Sequence, residues 1–260
     1  YHTSTLMPDG SILTCGGSDG AKTSDTCELF VQGSPSYSPI SKTTSTTGEW
    51  QSVGSMTSKR SRHTATLLPN GTVLVTGGTT GPSTSAVSTA EIYYPDTMRW
   101  VPAQSMAVPR QNHTATLLPD GNVLVAGGDS DVGYSSAAAV FIATGAAWQT
   151  VGYMNTARAQ HTATLLKNGN VLVTGGINGP ALATTGIYNY LTRSWALGAA
   201  MADARYSHTA TLLKDGRVVV AGGSFGGGPM STTERLLPPS YAAWLPSSSM
   251  EFERANHKAT

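Results

Sequence analysis

The chain has 260 residues, enough for one large all-β domain or two small ones. Its formal net charge is +1 and 12% of its residues are charged, so it carries no electrostatic footprint for nucleic acid and no basic patch for a membrane surface. Apolar runs are far shorter than a bilayer span requires, and 29 glycines argue against a helical protein.

In chain order, the opening phrase Tyr1-His2-Thr3-Ser4-Thr5-Leu6 already lies inside a repeating unit, and the closing His257-Lys258-Ala259-Thr260 lies inside another. The chain is therefore read as part of a longer one, and the lack of a visible signal peptide carries no weight. All six histidines (His2, His63, His113, His161, His208 and His257) begin the same phrase, at intervals of 61, 50, 48, 47 and 49 residues. Trp50, Trp100, Trp148, Trp195 and Trp244 each precede a repeat histidine by a constant distance, as do Met56, Met106, Met154, Met201 and Met250. Arg60, Arg110, Arg158, Arg205 and Arg254 lie closer still, and a Gly pair follows the histidine in each unit, as at Gly77-Gly78. Such phasing defines a repeat protein. The repeats run 1–61, 62–111, 112–159, 160–206 and 207–255, with the first strand of another after them, and are assigned to a single domain over 1–260.

Each repeat reads as four strands. In the second, the first strand runs from His63 to Leu68. Asn70-Gly71 then signals a hairpin, read as a type I′ turn with φ > 0 at both residues. Val73-Leu74-Val75-Thr76 shows no polar alternation, the pattern of a strand covered on both faces. The Gly pair ends it where backbone crowds or φ is positive. Ala90-Glu91-Ile92-Tyr93-Tyr94 and a segment around Trp100-Val101 complete the unit. Four antiparallel strands repeated every fifty residues or so make the blades of a β-propeller.

The Gly pair after an aliphatic strand, the aromatic-Pro turn Tyr94-Pro95 and the spaced tryptophans resemble the kelch family across essentially the whole chain. The His-Thr-Ala-Thr and Asp-Gly version is similar to kelch-like repeats of secreted microbial proteins and to the galactose-oxidase-like central domain. The resemblance implies a ring of six or seven blades, of which five complete repeats are visible here.

Six histidines in register invite a metal ring. The alternation of a strand instead turns their side chains into the faces between blades, which favours buried histidines bonded to a neighbouring blade. The repeated arginine receives the same reading, and the Trp and Met positions are assigned to packing between blades rather than to ligand platforms. Cys15 ends a second strand and Cys27 begins a third, so a structural disulfide leads, ahead of two buried thiols and of a metal or redox pair. Asn70 and Asn112 begin N-glycosylation tripeptides. The insertion from Gln32 to Gly48 is a surface loop or, from its Ser, Thr and Pro content, an O-glycosylated segment.

Binding residues are sought in the loops between second and third strands, which differ most between repeats: Asp19 and Lys22, Asp129, Asp131 and Tyr134, Asn178, and Phe225. The spacing of Asp129 and Asp131 points to calcium only faintly, since further ligands are lacking nearby. Three function classes follow. The first is a noncatalytic extracellular or cell-surface scaffold with a protein or glycan partner, or one that self-assembles, and without cofactor, metal, nucleic acid or membrane insertion. The second, implied by the resemblance, is a copper radical oxidase, for which every histidine is already committed to the repeat. The third is a sugar-modifying kelch enzyme, which requires a converging acid and base.

Overall fold

The computed structural model describes residues 1–32, 36–38, 43–45, 48–81 and 85–257. Among these there is no helix, and the strands form five four-stranded antiparallel sheets, each a meander in chain order. They fall into two compact units, Tyr1–Ala107 with two sheets and Val108–Thr260 with three. Blade 1 comprises Thr3–Leu6, Ile12–Cys15, Thr26–Val31 and Glu49–Ser55, and blade 2 Thr64–Leu67, Val73–Thr76, Ala90–Tyr94 and Arg99–Ala103. Blade 3 comprises Thr114–Leu117, Val123–Ala126, Ala137–Ile142 and Ala147–Tyr153. Blade 4 comprises Thr162–Leu165, Val171–Thr174, Thr185–Asn189 and Ser194–Leu197, and blade 5 Thr209–Leu212, Val218–Ala221, Thr233–Leu236 and Trp244–Pro246. Of the insertion in the first repeat, Ser36–Ser38 pairs with Thr43–Ser45; its remaining Ser/Thr/Pro positions up to 47, and the strand expected after His257, lie outside the described residues.

Every position of Val73–Thr76, Val123–Ala126 and Val171–Thr174 is buried, as their unbroken apolar pattern requires. The hairpin before each of them departs from the expected type I′ turn. Gly71 is left-handed (φ 83°) but Asn70 is not. The Gly71 amide donates to the Leu68 carbonyl (2.9 Å), and the Leu68 amide to the Thr72 carbonyl (2.8 Å). This is a three-residue loop, a type I turn closed by one glycine. Asn70 belongs to it through its side chain: Oδ1 accepts from the Thr72 amide (3.2 Å) and hydroxyl (2.8 Å). Asp9, Asp120, Asn168 and Asp215 accept from the amide two residues on in the same way.

The tryptophans pack both within and between blades. Trp50, Trp100, Trp148 and Trp195 are direct cross-strand partners of Phe30, Tyr93, Phe141 and Tyr188 of their own blades, with ring centroids 5.1–5.3 Å apart. Trp100, Trp195 and Trp244 also pack against core clusters that join blade 1 to blade 2, blade 3 to blade 4 and blade 4 to blade 5, the packing between blades that the sequence implies, whereas Trp50 is 55% exposed. Trp244 bonds to a neighbouring blade, donating from Nε1 to the Ala199 carbonyl (2.9 Å).

The joint between successive blades is made from the Gly pair, the arginine and the histidine. The Gly17, Gly128, Gly176 and Gly223 amides donate to the carbonyls of Arg60, Arg158, Arg205 and Arg254, in the segment that leads out of the same repeat toward the next histidine (2.8–2.9 Å). A Cβ on Gly127 would stand 2.5 Å from the Arg158 carbonyl and 2.6 Å from the His161 ring, and its φ of 65° also favours glycine. Both expected reasons for the pair, crowding and positive φ, therefore apply.

Candidate ligand-binding rim

The histidines are committed to the fold. His63, His161, His208 and His257 bond through Nε2 to Thr3, Thr114, Thr162 and Thr209 in the first strand of the preceding blade (2.9–3.1 Å). Burial, reinforced by the adjacent arginine guanidinium, lowers His63 and His208 to about 3 and holds His161 well below the usual imidazole range. These rings are neutral at physiological pH. His113 is buried as well, whereas His2 is exposed.

Immediately before His63, His113, His161, His208 and His257 stands a residue that varies between blades: Arg62, Asn112, Gln160, Ser207 and Asn256. All five are left-handed, with φ of 51–55°, a conformation that costs a non-glycine residue on the order of 1 kcal/mol or more. In the unit Val108–Thr260 their backbones form a chain across blades. The Gln160 amide donates to the Asn112 carbonyl, Ser207 to Gln160, and Asn256 to Ser207, each at 3.0 Å. The bend lifts the side chains out of the strand, leaving Asn112, Gln160 and Ser207 half-buried and Asn256 exposed. The Ser207 hydroxyl donates to Gln160 Oε1 (2.8 Å), and Asn112 Nδ2 to Asp129 Oδ1 (2.9 Å). In the unit Tyr1–Ala107 the Arg62 guanidinium lies over the Tyr1 ring, 4.9 Å from its centroid, beside a cavity of about 130 Å³ that also reaches Ser18, Gly20, Ser61 and Thr79.

The sequence-predicted loop residues adjoin this rim unevenly. Asp129 is part of it, since Gln111 Nε2 also donates to its Oδ2 (3.0 Å). Asp129–Ser130 pairs with Gly133–Tyr134 as a small hairpin in which Tyr134 faces Asp129, with Asp131 exposed at the turn. Phe225, 59% exposed, stands on an equivalent hairpin whose Ser224 bridges Tyr206. Asn178 is exposed beside Ile177, which bridges Ala159. Asp19 instead closes its own loop, accepting from the Ala21 and Lys22 amides (2.9 and 2.7 Å), and this holds its carboxyl below the usual range. Lys22 is exposed on that loop.

Cys15 and Cys27 face each other across the second and third strands of blade 1 and form a disulfide. Asn70 is exposed at its hairpin tip, on the border of a cleft of about 540 Å³ lined by Asp9, Tyr93, Tyr94 and Met98, whereas Asn112 is tied into the rim. Among the described residues no three of His, Cys, Asp and Glu converge as a metal site. Of the residues preceding the histidines, only Asn112 stands out in the sequence, and there as the start of a glycosylation tripeptide. Their signal was variability at a fixed phase, next to a side chain that never changes.

No curated protein matches the chain. The chain is similar to the solved "Structure of YjhT", with a TM-score of 0.73 and 13% identity over 98% of this chain and 85% of that one, a likeness of fold. A family model, the KLHDC2/KLHL20/DRC7 Kelch-repeats domain, matches residues 1–227. With its four-stranded blades and the Gly-pair, Arg and His joint between them, the chain belongs to the Kelch-repeat family.

Proposed function

We propose that the chain is a noncatalytic binding module that takes a segment of a partner protein on the rim formed by Asn112, Gln160, Ser207 and Asn256. The observation that carries this reading is the left-handed position itself. It presents polar side chains that vary between blades, Asn, Gln or Ser, at a backbone cost, beside a joint that is otherwise uniform. Amide and hydroxyl groups suit the backbone of a bound segment, while Tyr134, Phe225 and Val132 (39%, 59% and 93% exposed) supply apolar anchors on the adjoining hairpins. The imidazoles support this reading over oxidase or sugar chemistry, because those of His63, His161 and His208 are neutral, buried and bonded to threonine. An extracellular setting is supported by the Cys15–Cys27 disulfide, and a glycan at the exposed Asn70 fits that setting.

The test is to pan a phage-displayed random-peptide library on the purified chain. Selected peptides should bind the wild type and lose roughly tenfold in affinity on Gln160→Ala or Phe225→Ala. Peptides indifferent to both substitutions, or a library that yields none, would contradict the proposal.

A further inference from the structure

The four buried repeat arginines use Nη1 alike. It donates to the carbonyl of the first glycine of the pair, Gly77, Gly127, Gly175 or Gly222, at 2.6–2.9 Å. It donates as well to the carbonyl of Thr89, Ala137, Thr184 or Thr232 at the start of the third strand. Nη2 is where they part. In blade 2 Arg60 Nη2 meets Glu91 Oε1 (2.5 Å) and Thr89 Oγ1 (3.3 Å), and in blade 5 Arg205 Nη2 meets Glu234 Oε1 (3.0 Å) and Thr232 Oγ1 (3.1 Å). In blade 4 Arg158 Nη2 keeps Thr184 Oγ1 (3.0 Å), with Gly186 at the glutamate position. In blade 3 both acceptors are gone, because Ala137 and Ala139 stand at the threonine and glutamate positions.

Arg110 is thus a guanidinium 2% exposed, with two carbonyls on Nη1, no acceptor on Nε, and neither the carboxylate nor the threonine hydroxyl that Nη2 meets in blades 2 and 5. A buried charge without a counter-charge is strongly unfavourable. Burial lowers Arg110 to about 10 with no neighbouring carboxylate to oppose it, and the guanidinium nevertheless stays charged at neutral pH. Water can satisfy a donor but brings no charge. The carboxylates of blades 2 and 5 indicate what fits. Each is an anion held by Nη2 and by amides of the turn after the repeat methionine: Thr57 (2.6 Å) for Glu91, and Ala202 and Asp203 (2.7 and 3.1 Å) for Glu234.

We propose that a small monovalent anion of halide size binds at Arg110, in the place that the glutamate carboxylate takes at Arg60 and Arg205. A single guanidinium calls for a single negative charge. The anion has to fit where alanine stands in place of glutamate, which favours a small ion over a hydrated sulfate or a phosphate ester.

Thermal unfolding should be followed while chloride replaces gluconate at constant ionic strength, in the wild type and in Ala139→Glu, which supplies the missing carboxylate. The wild type should melt about 2–4 °C higher in chloride, and Ala139→Glu should melt at one temperature in both salts. Crystals grown in bromide provide a second readout that does not depend on the variant folding, with an anomalous peak beside Arg110 Nη2 and none beside Arg60 or Arg205. Absence of that peak in the wild type, or an equal chloride response in folded Ala139→Glu, would overturn the proposal.

Discussion

Blades 2 and 5 hold a buried arginine against a buried glutamate, whereas blades 3 and 4 hold the same arginine against backbone carbonyls and, in blade 4, a threonine. The shared part is the pair of carbonyl bonds from Nη1, which ties the turn at the Gly pair to the third strand. The part that differs is charge compensation. A repeat therefore fixes the geometry of a buried cation in every blade while leaving its counter-charge to vary from blade to blade. Blade 1 provides a third arrangement. At the register where blades 2 to 5 pair Thr76 with Ala90, Ala126 with Ala138, Thr174 with Thr185 and Ala221 with Thr233, it joins second and third strands covalently through Cys15 and Cys27.

The largest expected effect concerns the histidines that both kinds of blade share. Burial depresses the folded pKa of His63, His161 and His208 below the unfolded value near 6.5, so protons bind the unfolded chain better. Their contribution to stability is complete above pH 6.5 and is lost as the pH falls toward about 3. By pH 5 the loss reaches roughly 2 kcal/mol for each of His63 and His208. Urea midpoints measured from pH 8 to pH 5 should fall steeply below 6.5. A flat profile would mean that the rings are charged or solvated and that the joint is not the one described.

Next in size, Glu91→Ala and Glu234→Ala convert a glutamate blade into the likeness of blade 3. Each strands a buried guanidinium and at least one turn amide, at a cost of about 3–5 kcal/mol in the free energy of unfolding. A loss under about 1 kcal/mol would erase the distinction between the two kinds of blade. Reduction of Cys15–Cys27, which closes a loop with a sequence separation of 12, should cost about 3 kcal/mol in chemical denaturation. Arg-containing blades offer no such handle, so a reductant effect of this size in a Cys15→Ser, Cys27→Ser double variant would contradict the assignment. The smallest effect is a gain. Gly186→Glu places a carboxylate near Arg158 at a position where a Cβ meets only ordinary contacts at 3.7–3.8 Å. Thermal unfolding should report a stabilisation of about 1–2 kcal/mol, and a destabilised variant would show that blade 4 is built around the absence of that charge.

The uniform features were legible in the sequence because every blade makes the same demand of them. His161, Arg158 and the pair Gly175-Gly176 are in phase because each touches the next or previous blade, so their burial followed from period and strand alternation. The hairpin was misread because Asn-Gly alone does not say whether two or three residues close the loop. Pro8, Pro69 and Pro119 stand just before the Asx-Gly pair, and a fixed φ near −65° suits the first central position of a type I turn. That neighbour, rather than the pair itself, carried the information. Trp100, Trp195 and Trp244 pack between blades as their phase implies, whereas the cross-strand aromatic partners, Phe30 and Tyr93 among them, become visible only with register. The rim around Gln160 was hidden for the opposite reason. A residue that varies between repeats leaves no period, and its left-handed backbone has no sequence signature when Arg, Gln and Ser fill it as readily as Asn.

The central claim is that positions common to all blades hold the fold while the position before each histidine meets the partner. The most direct measurement compares Gln160→Ala with Arg158→Ala, its neighbour two residues earlier, for both melting temperature and binding of a library-selected peptide. Gln160→Ala should melt within about 2 °C of the wild type and lose roughly tenfold in affinity. Arg158→Ala should melt several degrees lower, roughly in proportion to the loss of a buried tie worth 2 kcal/mol or more, and keep its affinity at temperatures where it is folded. The reverse pattern, a Gln160→Ala chain that unfolds early yet binds as the wild type does, would contradict the account.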